Sequence, residues 1–195
     1  MTLPEDPVLE AALRVIGRRG LEALTHRAAA AEAGVSLGAV THRHRRRDDL
    51  ARAALDFAVA RETARADAFA LRLQSQAFDL AAWSAAVAAW YAREMEERAE
   101  VHAACCEALL AAGRDPRLRP TLERWIAAWR RAPALALRAA GDPEPEAGAA
   151  VLVDAVLGAV MRQLAVPDPD FEPRLRATLT RLCAARAEPA GPPAD

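Results

Sequence analysis

The sequence predicts an all-α fold. Alanine supplies much of a 53% hydrophobic content in which aromatics are only 5%, and alanine is the best helix former and a poor strand former. Apolar residues recur at i, i+3, i+4 and i+7, as on one face of a helix. No run alternates β-branched and polar residues as a half-buried strand would.

The first helix follows Asp6, a good N-cap, with Pro7 at the first helical position. Leu9, Ala12, Leu13 and Ile16 then form one stripe, and Gly20 ends it. Thr25 caps a short helix, "HRAAAAEA", which Gly34 stops. Ser36 caps a third, "LGAVTHR". Two short helices joined by Gly34, Val35 and Ser36 read as a helix-turn-helix. A long fourth helix follows, with Asp48 and Asp49 at the positive end of its dipole and Leu50, Ala54, Phe57 and Ala58 on one face. Further helices are expected over about 79–98 (Leu80, Trp83, Val87, Trp90), 101–112, 117–139, 148–165 and 171–187, about nine in all. Pro133 is expected to kink or break its helix. The division that follows is a helix-turn-helix domain over 1–47, a second helical domain over 48–188, and a disordered Pro- and Ala-rich tail over 189–195.

Composition restricts the partners. All 26 basic residues are arginine, and asparagine is absent, a bias that points to a GC-rich genome rather than to nucleic-acid binding. The formal net charge of −1 excludes general polybasic behaviour, so any polyanion contact is local. The one local concentration is "HRHRRR", residues 42–47. As a metal site His42-x-His44 fails, because i and i+2 side chains on a helix point about 200° apart. Three cysteines make no disulfide framework. The N-terminus has no signal-peptide character, and no uncharged stretch reaches membrane-spanning length. A soluble cytoplasmic protein without membrane contact is expected.

Small residues at the start of the second short helix, "SLGA" (36–39), let a backbone approach base edges in a major groove. The candidate DNA-facing set is Ser36, Leu37, Gly38, Ala39, Thr41, His42 and Arg43, with Thr25, Arg27 and Arg47 as phosphate contacts near helix N-termini. Cys105-Cys106 leaves buried packing, thiol or metal sensing, and nucleophilic chemistry open. Trp83, Trp90, Tyr91, Met95, Trp125 and Trp129 recur at helical spacing, as a core or a ligand cage would. No phosphate loop, G-x-S-x-G or H-E-x-x-H is present. Catalytic residues, metal and cofactor are therefore expected to be none.

The stretch "ALTHRAAAAEAGVSLGAVTHRHRRRDDLARAAL" resembles the N-terminal pattern of the tetracycline-repressor (TetR) family of bacterial transcriptional regulators. Thr25, Ala33-Gly34-Val35-Ser36, Gly38, His42, Arg47, Asp48-Asp49 and Leu50 carry the resemblance. It departs at Thr41, where the family usually has a DNA-packing Tyr, at His44, where it has a core Phe, and at Ala29, where it has Ile. The resemblance implies an operator-binding regulator, usually a repressor, with an effector pocket in the second domain. Candidate pocket residues are Trp83, Trp90, Tyr91, Cys105, Trp125 and Trp129, with Glu94, Glu96 or Glu107 able to select a cation. Leu152, Ala155, Val156 and Ala159 with Leu175, Leu179 and Leu182 make apolar faces suited to a twofold homodimer, the four-helix arrangement that the resemblance also implies. The partners expected are therefore pseudo-palindromic double-stranded DNA, a small apolar or aromatic effector, and a second copy of the chain. The alternatives are an effector-less DNA-binding or interaction protein and, third, a helical thiol enzyme.

Overall fold

Residues 6–74 and 79–187 are described in the computed structural model. Eight α-helices occur among them: α1 (Pro7–Arg19), α2 (His26–Ala33), α3 (Leu37–Arg43), α4 (Arg47–Gln74), α5 (Leu80–Ala112), α6 (Arg119–Ala139), α7 (Pro145–Ala165) and α8 (Phe171–Ala187). Single 3₁₀ turns precede α2 (Leu21–Ala23) and α6 (Pro116–Leu118). The expected tail, 189–195, lies outside the described residues.

The expected helices over 79–98 and 101–112 are one helix, α5, with a single non-helical residue, Arg98 (φ −143°, ψ 27°), between its halves. Nor does Pro133 end α6, which runs through it to Ala139. The chain forms two compact units, one of Met1–Arg65 with Met95–Ala127 and one of Ala66–Glu94 with Ala128–Asp195. Each crossing falls inside a helix, α4, α5 or α6, rather than in a linker.

In the first unit the caps read from sequence are formed. Asp6 accepts from the Val8 and Leu9 amides at 3.1 and 3.2 Å, and Thr25 and Ser36 accept from Ala28 and Ala39 at 3.0 and 3.2 Å. Gly34 ends α2 with φ +68°, a left-handed conformation that costs other residues a Cβ clash. Leu13, Ile16, Leu24, Val40, Leu50 and Ala54 are buried in this unit's core, so each short helix gives its inner stripe to the core and keeps an outer one.

In the second unit α7 packs on α8. Gly148 lies under Arg186, where a Cβ would come 2.4 Å from the guanidinium Nε. That passage lets Arg186 reach Asp142 (3.0 Å to Oδ1) and the Glu144 carbonyl (2.9 Å). The hydrogen bond from Arg186 holds the Asp142 carboxyl below its ordinary value against the opposing effect of burial.

The apolar residues of these two helices divide by exposure. Leu152, Val156, Ala159, Leu175 and Leu179 are buried within the single chain, while Ala155 and Leu182 are half-buried. The outer face of α7 carries Val151, Asp154, Gly158, Met161 and Arg162, all exposed, with Ala155 and Leu157 beside them. Because α7 is apolar almost all round, periodicity marks two apolar faces and cannot say which turns inward. By length and composition α7 is apolar enough to cross a membrane, although Glu146, Asp154 and Arg162 interrupt it, so no uncharged stretch of that length occurs. Eight of its residues are buried.

Candidate nucleic-acid interface

Helix α3 presents the candidate set on one surface. Ser36, Leu37, Gly38, Ala39, Thr41, His42 and Arg43 are all exposed, whereas Val40 between them is fully buried and anchors the helix. Gly38 has only the Ser36 hydroxyl, at 3.9 Å, near the position a Cβ would take. Nothing in the chain's own packing requires a glycine there. The Thr41 hydroxyl donates back to the Leu37 and Gly38 carbonyls at 3.0 and 3.2 Å.

The basic block divides by what each cation already holds. Arg43 forks onto Asp6 (3.3 Å from Nη1 to Oδ1, 2.5 Å from Nη2 to Oδ2), tying the C-terminus of α3 to the cap of α1. Burial opposes the Asp6 charge, but the Arg43 hydrogen bond and the Leu9 and Val8 amides outweigh it and hold that carboxyl below its ordinary value. Arg47 donates to the Leu24 and Leu21 carbonyls at 2.8 and 2.7 Å and reaches Glu22 at 3.2 Å. Most of its fork thus satisfies carbonyls of the turn before α2. Arg27, Arg45 and Arg46 are exposed and carry no ion pair among the described residues. They are the cations of this surface left without an ion pair, a division of the block that sequence alone does not give.

His44 is the C-cap of α3. The His26 ring Nε2–H donates to its carbonyl at 2.7 Å, closing the start of α2 onto the end of α3. The His44 ring is half-buried, and its Nε2 is enclosed without a hydrogen-bond partner. Burial, then the neighbouring Arg43 charge, lowers its pKa from the usual 6.5, with Asp6 opposing.

The aromatic candidates fall in both units. In the second, Phe69 stacks on Trp90 (5.6 Å), Trp90 meets Tyr91 edge-on (4.7 Å) and Tyr91 meets Trp129 edge-on (5.9 Å). Trp83 and Glu94 of that unit are buried, Glu94 to 2% exposure. Cys105 and Trp125 are buried in the first unit. Burial, then the Glu62 charge, pushes the Cys105 thiol up; burial also raises Cys106 and Cys183. None of the three is an activated thiolate. A cavity of about 330 Å³ in the first unit is bordered by Leu21, Leu118, Arg47, Asp48, Glu107 and Arg117. Its charges answer one another, Arg117 holding Asp48 at 3.1 Å.

A capped helix pair with a glycine turn, an exposed small-residue helix and a basic surface define a helix-turn-helix DNA-binding protein. The family model for bacterial regulatory proteins of the tetR family matches residues 8–54, and that for the tetracyclin repressor-like C-terminal domain matches residues 79–185. The chain belongs to the TetR family of transcriptional regulators. A TetR-family member from Streptomyces coelicolor A3 is 31% identical over 90% of this chain and 95% of that one, with a TM-score of 0.71. The multidrug binding protein EbrR, in a complex with malachite green, is 31% identical over 92% and 98%, with a TM-score of 0.66. A transcriptional regulator from Rhodococcus sp. Rha1 shares the fold at 22% identity over 94% and 98%, with a TM-score of 0.73. Among curated proteins no match was found.

Proposed function

We propose that this DNA-binding regulator is a repressor. It acts in the cytoplasm as a twofold homodimer on a pseudo-palindromic operator, and a small aromatic effector, cationic in its favoured form, releases it. The observation that carries the reading is α3, whose exposed face, from Ser36 to Arg43, stands clear of its own unit while Val40 holds it in place. The outer row of α7, Val151, Gly158 and Met161, supports pairing with a second copy, since Gly158 leaves open space for close approach. The aromatic chain from Phe69 to Trp129 and the buried Glu94 support a planar cation as effector. EbrR, the 31%-identical relative, has been solved with malachite green, and also with proflavin.

Selection of bound duplexes from a random pool, followed by titration of the selected complex with proflavin and malachite green, tests this. A pseudo-palindromic consensus whose complex dissociates as tryptophan fluorescence changes is expected. Selection of a consensus that neither dye dissociates would favour the effector-less alternative, and no selected sequence would remove the operator reading.

A further inference from the structure

The break in α5 lies beside two buried polar side chains of the first unit. Glu62 of α4 is 1% exposed and His102 of α5 is 2% exposed, and a carboxylate oxygen of one lies within 4.8 Å of a ring nitrogen of the other. Both Glu62 oxygens are enclosed, and neither accepts a hydrogen bond. The guanidinium of Arg98, 2.7 Å from one of them, supplies charge without hydrogen-bond geometry. A buried carboxylate is costly unless it is both paired and hydrogen-bonded, so this one is only half satisfied. Arg98 makes the approach from the one non-helical residue inside α5.

We propose that Glu62 and His102 are the protein donors of a regulatory site for a divalent transition-metal ion, which displaces Arg98 from the Glu62 carboxylate. An imidazole with a carboxylate suits Zn²⁺, Co²⁺ or Ni²⁺, whereas Mg²⁺ and Ca²⁺ prefer all-oxygen sets. Arg98 holds the place of a cation at the Glu62 carboxylate while the metal is away. The exchange has a route to the DNA-binding helices within the same unit. Glu100, two residues beyond Arg98, receives the Arg18 guanidinium of α1 at 2.7 Å, so a change in the break alters the seat of α1. The ion is thus a second input, distinct from the aromatic effector.

The test uses the full-length, untagged protein without DNA, so that its outcome is independent of the operator reading. Co²⁺ is titrated by its visible d–d absorption and Zn²⁺ by calorimetry, with Mg²⁺ as control. One saturable Co²⁺ or Zn²⁺ site per protomer and none for Mg²⁺ are expected. Glu62→Gln and His102→Gln should each weaken binding by at least about tenfold, in the range known for lost metal-site partners. Arg98→Met should strengthen it by removing the competing cation, an effect that a merely structural arginine would not give. His42→Ala, on the exposed face of α3, should leave affinity unchanged. If Glu62→Gln loses helicity, the opposite shifts of His102→Gln and Arg98→Met decide. Absence of saturable binding, wild-type affinity in His102→Gln, weaker binding in Arg98→Met, or loss of binding in His42→Ala would each overturn the proposal.

Discussion

Gly17 of α1 meets the backbone of Glu100 in α5 so closely that a Cβ at position 17 would lie 2.0 Å from the Glu100 carbonyl oxygen. The next residue, Arg18, donates to the Glu100 carboxylate at 2.7 Å and lies 3.4 Å from Glu32 of α2, which also holds Arg14 at 2.7 Å. Backbone proximity and a charge network therefore fix α1 against the same short stretch of α5, two residues beyond its break.

Gly17→Ala should disrupt that crossing. The obstacle is backbone rather than a movable side chain, so one helix must shift, at a cost of roughly 1–3 kcal/mol for overpacking. Urea denaturation should show a lower midpoint with unchanged slope. A variant as stable as the parent would mean that the two helices separate without consequence.

Gly34 and Gly38 should respond oppositely to alanine. At Gly34 the positive φ opposes any side chain, so Gly34→Ala should cost about 1–2 kcal/mol. At Gly38 a Cβ meets only ordinary contact and helix propensity favours alanine, so stability should hold or rise. The loss at position 38 should appear in DNA affinity, by about tenfold, if α3 brings its backbone to the base edges. Thermal melts and DNA titrations of the same two proteins separate these effects; equal DNA affinity in Gly38→Ala would place the α3 N-terminus away from the groove.

What the sequence revealed and what it hid differ by range. The caps at Asp6, Thr25 and Ser36 and the turn at Gly34 depend on neighbours within four residues, and all were legible. The destination of Arg47 was not, because the carbonyls of Leu21 and Leu24 lie more than twenty residues back and no local pattern marks them. Glu62 sits in "ARETARAD", a stretch that reads as solvated, and only its placement opposite α5 buries it. Likewise the break at Arg98 looked like a boundary between two helices, since a lone non-helical residue leaves no cap or glycine in the sequence. The two apolar faces of α7 are equally strong by periodicity, and packing against α8 rather than pattern decides which one turns inward.

His44 should make the helix-turn-helix unit sensitive to mild acid. Its folded pKa is lowered by burial from 6.5, so the unfolded chain binds a proton more readily than the folded one. Its contribution is therefore fully present above about pH 6.5 and is lost as pH falls through the lower folded value. His44→Phe removes both the titration and the enclosed, unpartnered Nε2, and leaves the carbonyl that His26 uses. Stability should rise by about 1 kcal/mol at neutral pH, and the slope of stability against pH should flatten below about 6.5. An unchanged slope in His44→Phe would assign the acid sensitivity to another group.

The cations of the basic block should separate by salt dependence. Each phosphate contact contributes about 0.9 to the slope of log affinity against log salt, and a twofold dimer counts each residue twice, so losing one phosphate-bound arginine should flatten the slope by about 1.8. Arg27, Arg45 and Arg46, exposed and without an ion pair among the described residues, should each give that change on substitution by alanine, similarly for operator and for unrelated DNA. Arg47 should behave differently. Its guanidinium serves the Leu21 and Leu24 carbonyls, so Arg47→Ala should lower the melting temperature first and alter the slope less, and Tyr in place of Thr41 should not restore it. Arg43 lies between the two cases, because it must leave Asp6 to reach a phosphate; Asp6→Asn keeps a good N-cap and should raise non-specific affinity if Arg43 makes that exchange. Salt titrations of these variants beside their melting curves check the division. A full slope change in Arg47→Ala with an unaltered melting temperature would return Arg47 to the phosphate-binding set and would leave the 3₁₀ turn before α2 held by other contacts.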